Sequence, residues 1–362
     1  MRILDKYIIK NLGSGYLFIL LVFVGLYFII DIFSNLSDML ESKPPLGMIF
    51  QYYLYSLPLI ILRVSPFSLL ISTLYTFGEL NKNNEIISIR SAGLSILRIA
   101  APVIFFAFFI SIITFFIQEK ILIYSQKEVE DIKLRFIKKD GLAEAEERNL
   151  AFASGNMIFF VEKFIPKAQT MEHVIIFIED KNRNIAQKII CKNITYEYGF
   201  WIGREVITYN LDKDGNIIDT PLNIGVKRIG LKEKPEELIF KKSIFSQFYS
   251  LSNLQEEISR LKKVKAKNLL ANLTIDYYQK IAEPFSHFFL VIGVLPLALE
   301  IKKRKVSLAS LGVGLGFGFV YYTFSSFSIA LGKSGVILPF FSAWLAPFFF
   351  LAVGVSGIIL IK

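Results

Sequence analysis

The sequence predicts a membrane α-helical protein with six transmembrane helices and an antiparallel β domain inserted between the third and the fourth. Three observations lead to this prediction. The 362 residues are 53% hydrophobic, which is more apolar side chain than a soluble domain of this size can bury. The apolar residues are clustered in blocks without charge, such as 16–30 and 99–117. Between about 148 and 245, short runs of alternating apolar and polar residues replace these blocks.

Each apolar block is long enough to cross a bilayer, because about twenty helical residues cover the roughly 30 Å of its hydrocarbon core. The first block follows a mixture of charged and apolar residues, and no small-residue cleavage site comes after it, so we expect a membrane span and not a signal peptide. The predicted spans are about 12–32, 54–78, 97–118, 280–301, 306–330 and 338–360.

The placement of basic residues predicts the orientation of these spans, because cytoplasmic loops are enriched in Lys and Arg. On the opposite side, the short loops carry only Lys43 and Lys333. Both termini are therefore expected in the cytoplasm, and 119–279 outside it. The basic residues of the predicted cytoplasmic side are Arg2, Lys6, Lys10, Lys82, Arg90, Arg98, Lys302, Lys303, Arg304, Lys305 and Lys362. Because topology accounts for the net charge of +10, no nucleic-acid partner is expected.

The segment between spans three and four reads as a β domain with a helix on each side. Its alternating runs are separated by turn residues, as in an antiparallel sandwich or jelly roll. Flanking helices are predicted at 124–139 and 250–267, and the single cysteine, Cys191, is expected to be a small buried hydrophobe. The predicted strand runs are 150–154, 156–164, 172–180, 186–191, 193–198 and 205–211. The resulting domains are 1–123 with three spans, 124–270 with the β domain, and 271–362 with three spans.

The predicted cytoplasmic loop between spans two and three, 78–95, carries Glu85 and Arg90 beside apolar residues. Such a segment could dock as a short helix into a groove of a partner protein, or it could be a solvated connection. Composition alone leaves both interpretations open.

Arg63 is the most informative charge within a span, because a cation in hydrocarbon costs roughly 2.5–3.5 kcal/mol on insertion scales. It precedes Gly78 at the predicted cytoplasmic edge by about 22 Å of helix, which places it in the outer part of the bilayer. It could pair with Glu283 or reach the interface, or its guanidinium could bind a lipid phosphate. The other cations predicted on this side are Lys43, Lys127, Lys133 and Arg135, which could equally be solvated.

Span five contains two overlapping pairs of glycines four residues apart, Gly312 with Gly316 and Gly314 with Gly318. Such pairs allow two helix backbones to approach closely. We therefore expect tight helix packing along this span.

No enzyme active site or cofactor site is visible. The Gly332-Lys333-Ser334 sequence lacks the first glycine of a P-loop, because Phe327 stands at that position. His173 and His287 do not have the spacing of a zinc protease and are expected to be packed or hydrogen-bonded. The chain is therefore not expected to be an enzyme.

Several segments together resemble the LptF/LptG permease family. They are 4–12 (LDKYIIKNL), 77–95 (FGELNKNNEIISIRSAGLS), Pro58 with Pro66 in span two, 276–285 (DYYQKIAEPF) and 318–350. Within the last segment, the end 343–347 (AWLAP) is closer to the LptG branch.

This resemblance implies the membrane part of an ABC transporter that extracts lipopolysaccharide from the bacterial inner membrane. A paralogous permease would complete a heterodimer, and a cytoplasmic ATPase dimer would bind the ATP and magnesium. A periplasmic jelly roll would pass the lipid to a bridge protein of similar fold. By the same resemblance, 79–95 is the coupling helix, with Glu85 as its main contact to the ATPase and Arg90, Gly93 and Ser95 beside it.

The resemblance also implies that spans one and five line the subunit interface and the lateral opening for lipid, which gives the span-five glycines a role in that gate. Two alternatives remain. One is a permease of another lipid or lipoprotein exporter, although those usually have four spans. The other is a membrane scaffold without transport activity, whose β domain binds a periplasmic partner.

Overall fold

The computed structural model describes residues 3–132, 147–166, 168–180, 185–212, 217–231, 233, 235, 250–264, 267–300 and 306–360. Within these ranges, six helices are long and apolar enough to cross a membrane, which confirms the predicted plan. The helices before the β domain are α1 (Ile3–Ser34), α2 (Leu36–Ser42), α3 (Leu46–Lys82), α4 (Glu85–Ser91), α5 (Ile96–Phe116) and α6 (Ile123–Ile132). Those after it are α7 (Leu251–Val264), α8 (Lys267–Ala282), α9 (Ser286–Glu300), α10 (Val306–Lys333) and α11 (Pro339–Leu360).

The third and fourth spans are each composed of more than one helix. A π-helical segment, Ile117–Leu122, joins α5 to α6, and a 3-10 turn, Glu283–Phe285, joins α8 to α9. The break before α9 contains Pro284, whose ring nitrogen cannot donate the hydrogen bond that a continuous α-helix needs. The predicted flanking helices are found at α6 and α7, although 133–139 lies outside the described residues.

The chain divides into two compact units, Met1–Leu36 with Tyr53–Gln126 and Ala271–Lys362, and Ser37–Tyr52 with Lys127–Leu270. The first unit has an apolar core of side chains from α1, α3, α5, α9, α10 and α11, including Leu12, Leu74, Ile99, Leu290, Tyr321 and Phe350. Helix α1 contributes Ile8, Leu12 and Tyr16 to this core. Most of the apolar side chains in the rest of the helix are exposed. Much of its apolar surface is therefore free to face lipid or another subunit.

Helices α9 and α11 pack closely against each other at two glycines of α11. A Cβ atom added to Gly354 would overlap the backbone carbonyl of Ile292, and one added to Gly357 would lie 2.5 Å from Cγ of Pro296. Direct backbone contact of this kind is possible only with glycine at the crossing. The tightest helix pair thus depends on glycines of span six, which the sequence analysis did not single out.

The second unit contains a six-stranded antiparallel sheet, which confirms the predicted β domain. Its strands are β1 (Glu147–Ser154), β2 (Met157–Ile165), β3 (Thr170–Glu179), β4 (Ile185–Glu197), β5 (Phe200–Asn210) and β6 (Leu222–Ile229). They pair in chain order, as a meander, so the described strands do not include the crossing connections that define a jelly roll.

Two details of the sheet differ from the sequence analysis. The predicted runs 186–191 and 193–198 form one strand, because Lys192 between them is a solvent-facing position of the same alternation. Strand β6 was missed, because it is exposed along most of its length and lacks a clear apolar face. Cys191 is buried as predicted, and burial raises the pKa of its thiol to about 11.

Candidate functional site

The loop between the second and third spans contains a well-defined short helix. Helix α3 continues to Lys82, and α4 then occupies Glu85–Ser91. Asn84, before α4, has a left-handed backbone with φ of 60°. The predicted segment 79–95 is therefore the end of one long helix, a seven-residue helix and a turn.

Gly93 and Ser95 shape this turn. The backbone N–H of Gly93 donates to the carbonyl of Arg90 at 2.9 Å, and the φ of Gly93 is 83°, a conformation that L side chains rarely adopt. The Ser95 hydroxyl accepts a hydrogen bond from the backbone N–H of Arg98 at 3.3 Å, which caps α5. The contacts of both residues explain how α4 ends and α5 begins.

Helix α4 has a buried side and an exposed side. Ile86 is buried in the apolar core of the first unit, and Ile89 packs against that core. Ile87, Ser88 and Arg90 are exposed. The buried side fixes the helix to the spans and leaves an apolar and a basic side chain on its surface.

Glu85 is held by two neighbours at the start of α4. Its Oε2 atom accepts a hydrogen bond from the Tyr7 hydroxyl at 3.0 Å, and its Oε1 atom accepts one from Nδ2 of Asn83 at 3.3 Å. The carboxylate therefore has a defined direction within this chain.

An open cavity of about 480 Å³ lies where α4 turns into α5. It is lined on one side by the turn and on the other by the end of α11, through Arg90, Gly93, Leu94, Ser95, Ile96, Leu97, Ile358 and Ile359. The cavity gives the α4 region a concave surface beside its exposed helix.

A second group of polar residues lies within the spans, and we call Tyr27, Arg63, Glu119, Lys280 and Glu283 the polar cluster. Arg63 is exposed, and its Nη1 atom donates to the Tyr27 hydroxyl at 3.1 Å. Glu283, also exposed, interacts electrostatically with Arg63 and Lys280. Nζ of Lys280 lies 3.9 Å from Oε2 of Glu119. Side chains from spans one, two, three and four therefore meet in one charged cluster.

The polar cluster lies far from the α4 loop along each helix. At 1.5 Å per residue, Arg63 is about 28 Å from the end of α3 at Lys82, and Glu119 is about 34 Å from the start of α5 at Ile96. Since the hydrocarbon core is about 30 Å thick, the cluster lies near the membrane edge opposite α4. Ionisable groups within transmembrane helices are rare and are commonly functional.

A buried chain of hydrogen bonds links three spans nearer the middle of the membrane. The hydroxyls of Tyr16 and Ser65 are 2.7 Å apart, and Oγ of Ser65 is 2.7 Å from Nε2 of His287. Nδ1 of His287 lies 2.8 Å from the carbonyl of Pro284. A carbonyl can only accept a hydrogen bond, so Nδ1 of His287 carries a proton and donates it to Pro284. This confirms that His287 is a buried, hydrogen-bonded residue.

The comparison with protein families decides the identity. The family model described as lipopolysaccharide export system permease LptF/LptG matches residues 6–362 of the sequence. The chain belongs to the LptF/LptG permease family. No curated protein matches it in a sequence search. Family membership and the six apolar helices make this permease a multi-pass inner-membrane protein and a transporter subunit, not an enzyme.

The span-five glycines of this permease divide into two groups. A Cβ atom on Gly314 would lie 2.7 Å from Cγ1 of Ile71, and one on Gly318 would lie 2.5 Å from Cε1 of Phe67. These two glycines therefore allow α10 to pack closely on α3. Gly312 and Gly316 have no atom within 4 Å of such a Cβ, so they lie on an open face of α10.

The remaining cations predicted near the substrate are placed as follows. Lys43 is exposed between α2 and α3, and Lys127 is exposed on α6. Lys133 and Arg135 lie outside the described residues. His173 is exposed, with Nδ1 3.5 Å from a carboxylate oxygen of Glu162, and no group of metal-binding side chains occurs among the described residues.

Two sets of contacts were not predictable from the sequence pattern: the buried chain of Tyr16, Ser65 and His287, and the partners of Arg63 other than Glu283. Polar residues inside apolar blocks were the available signal, because a polar group in a span needs a partner. Which residues pair depends on how the helices are rotated, and the sequence pattern does not fix that rotation.

Proposed function

We propose that this permease is the LptG-type subunit of an ABC transporter that extracts lipopolysaccharide from the inner membrane and passes it to a periplasmic bridge protein. The proposal rests mainly on the family match over residues 6–362. The assignment to LptG is supported by the 343–347 sequence (AWLAP). A paralogous LptF-type permease is the proposed second half of the membrane part.

Energy for extraction is proposed to come from a separate cytoplasmic ATPase dimer, which would hold the ATP and magnesium. Helix α4 is the proposed coupling helix, with Glu85 as its main contact. The exposed Ile87 and Arg90 support this role, because an apolar side chain beside a charged one suits a groove with an acidic rim. In this orientation, both termini and α4 face the cytoplasm, and the β domain lies in the periplasm.

Two surfaces are proposed to form the subunit interface and the lateral opening. They are the open face of α10 at Gly312 and Gly316 and the exposed apolar side of α1. Transfer of acyl chains into water costs about 0.8 kcal/mol per CH₂ group. An apolar path between the subunits would avoid most of that cost. The apolar face of the β domain would then receive the chains.

Co-purification in mild detergent tests this function against the alternatives. We expect the permease to bring an ATPase, a paralogous permease and bound lipopolysaccharide in fixed proportions. A scaffold without transport activity would be purified without an ATPase, and another exporter would bring a different lipid. Either of those results would contradict the proposal.

Cysteine labelling tests the orientation in intact cells. Ser88→Cys would place a thiol on the exposed side of α4, and Tyr198→Cys would place one at a position in the β domain that is 95% exposed. The native Cys191 is buried and gives the low background. A membrane-impermeant reagent is expected to label only the β-domain variant. Labelling of both variants would contradict the proposed topology.

Arg63 is proposed to bind a phosphate of the lipid headgroup, because it is exposed and because the proposed orientation places it near the periplasmic edge of the inner membrane. Arg63→Gln is expected to lower the lipopolysaccharide retained by the purified complex roughly tenfold, since a hydrogen bond to a charged group contributes about 1.5–3 kcal/mol. The lipid content of the complex is measured at low and high salt.

Arg204→Gln is the matched control, because Arg204 also has a bound partner, with Nη2 2.7 Å from Oε1 of Glu197 in the β domain. It is expected to retain the wild-type amount of lipid. If Arg63→Gln lowers only the thermal stability and leaves the lipid content unchanged, Arg63 is a structural partner of Glu283 and Tyr27.

A further inference from the structure

The first turns of α1 lie beside the loop that contains α4. The Tyr7 hydroxyl contacts Glu85 at 3.0 Å, although the two residues are far apart in sequence. Tyr7 is 42% exposed, so its ring is only partly needed for packing. Its hydroxyl therefore binds Glu85 at a position where a water molecule could have been its hydrogen-bond partner instead.

The contact constrains a side chain that would otherwise be mobile. A glutamate has three rotatable side-chain bonds, and fixing a long side chain of this kind costs conformational entropy. Tyr7 and Asn83 each bind one oxygen of the Glu85 carboxylate. Asn83 belongs to the same loop as Glu85, so Tyr7 is the partner that relates the carboxylate to another span within the part of the chain that the structure describes.

A second contact joins α1 to the far end of the same loop. Nη2 of Arg98, in the first turn of α5, lies 2.8 Å from Oδ1 and 3.0 Å from Oδ2 of Asp5. Asp5 is buried, with 9% of its surface exposed. A charge pair at a buried position resists separation, because loss of one partner leaves an uncompensated charge. The beginning of α1 is thus tied to both sides of α4.

We propose that Tyr7 is a positioning residue for Glu85 and that the start of α1 moves together with α4. This inference rests on the coupling role proposed for Glu85. The hydroxyl holds the carboxylate in one direction before the ATPase binds, so less entropy is lost on docking. A displacement of α4 is then passed directly to span one, whose apolar surface is largely exposed.

The test uses the complex purified with its ATPase and placed in vesicles that contain lipopolysaccharide. Tyr7→Phe removes the hydroxyl and keeps the ring. We expect lipid release per ATP hydrolysed to fall roughly three- to tenfold, the effect of one lost hydrogen bond. Tyr75→Phe is the matched control, because the carboxylate that acts on the Tyr75 hydroxyl is that of Glu79, four residues along α3, and not that of Glu85. It is expected to leave the ratio unchanged.

A double variant separates positioning from simple packing. If Tyr7 acts through Glu85, Tyr7→Phe combined with Glu85→Gln is expected to release as much lipid per ATP as Glu85→Gln alone. A further loss in the double variant would overturn the inference, and so would a wild-type ratio for Tyr7→Phe. If Glu85→Gln alone has no effect, the coupling role itself fails. If Glu85→Gln has an effect and Tyr7→Phe has none, only the positioning role fails.

Discussion

A complex that carries Glu85→Ala is expected to hydrolyse ATP but to release less than about a tenth of the wild-type amount of lipopolysaccharide from vesicles. Loss of one partner of a hydrogen-bonded charge pair at an interface costs about 2–5 kcal/mol. Ile86 is buried and Ile89 packs on the core. The exposed Ile87 and Arg90 are the remaining large side chains of α4, and neither supplies a carboxylate that could replace Glu85. Transport is therefore expected to fall by more than tenfold.

The measurement compares ATP hydrolysis and lipid release in the same vesicles. Ser88→Ala is the control on the same helix, because the Ser88 hydroxyl is exposed and donates only within the loop, to the carbonyl of Asn84 at 3.1 Å. Its transport is expected to equal that of the wild type. Normal ATP-dependent release by the Glu85→Ala complex would count against α4 as the coupling helix.

The membrane plan was predictable from the sequence because the bilayer imposes a fixed length on apolar segments. Charge-free blocks such as 16–30 leave no other stable arrangement for their side chains. The helices extend beyond the predicted spans: α1 begins at Ile3, whereas the first span was predicted from about residue 12. Polar residues such as Lys6 and Lys10 can continue a helix beyond the hydrocarbon core, where water satisfies their charges.

The strands were predictable where one face is buried and the other is exposed, as in β2, where Phe159 and Val161 face the core of the β domain. The connection order was not, because a jelly roll and a meander use similar alternating runs. Strand β6 has little contrast between its two faces, so its sequence carries little periodic signal.

The role of Gly93 in ending α4 was predictable from the sequence, because a glycine that follows a short helix commonly ends it. The long-range contacts were not. Tyr7 and Glu85, or Arg63 and Tyr27, meet only because particular helices are neighbours with particular rotations. Glu85 and Arg63 could be identified by their chemistry. The tyrosines that bind them could not, since tyrosines are common near membrane edges.

Gly354→Ala is expected to produce the largest loss of stability of any conservative change in the spans. The added methyl group would overlap the Ile292 carbonyl oxygen and lie 2.5 Å from its carbon. A backbone atom cannot rotate away as a side chain can, so α9 and α11 must separate. Overpacking usually lowers the free energy of unfolding by about 1–3 kcal/mol. A clash with a backbone atom is expected to cost about 3 kcal/mol or more.

The thermal unfolding of the detergent-solubilised permease measures this effect, and a midpoint lower by roughly 5–10 °C is expected. Gly25→Ala in α1 is the matched control, because its added methyl group would meet no atom within 4 Å. Its stability is expected to change by less than about 0.5 kcal/mol. Equal midpoints for the two variants would mean that α9 and α11 are not in backbone contact. A specific loss in Gly354→Ala would instead show that glycines in span six, and not only those of span five, set the distance between helices in this permease.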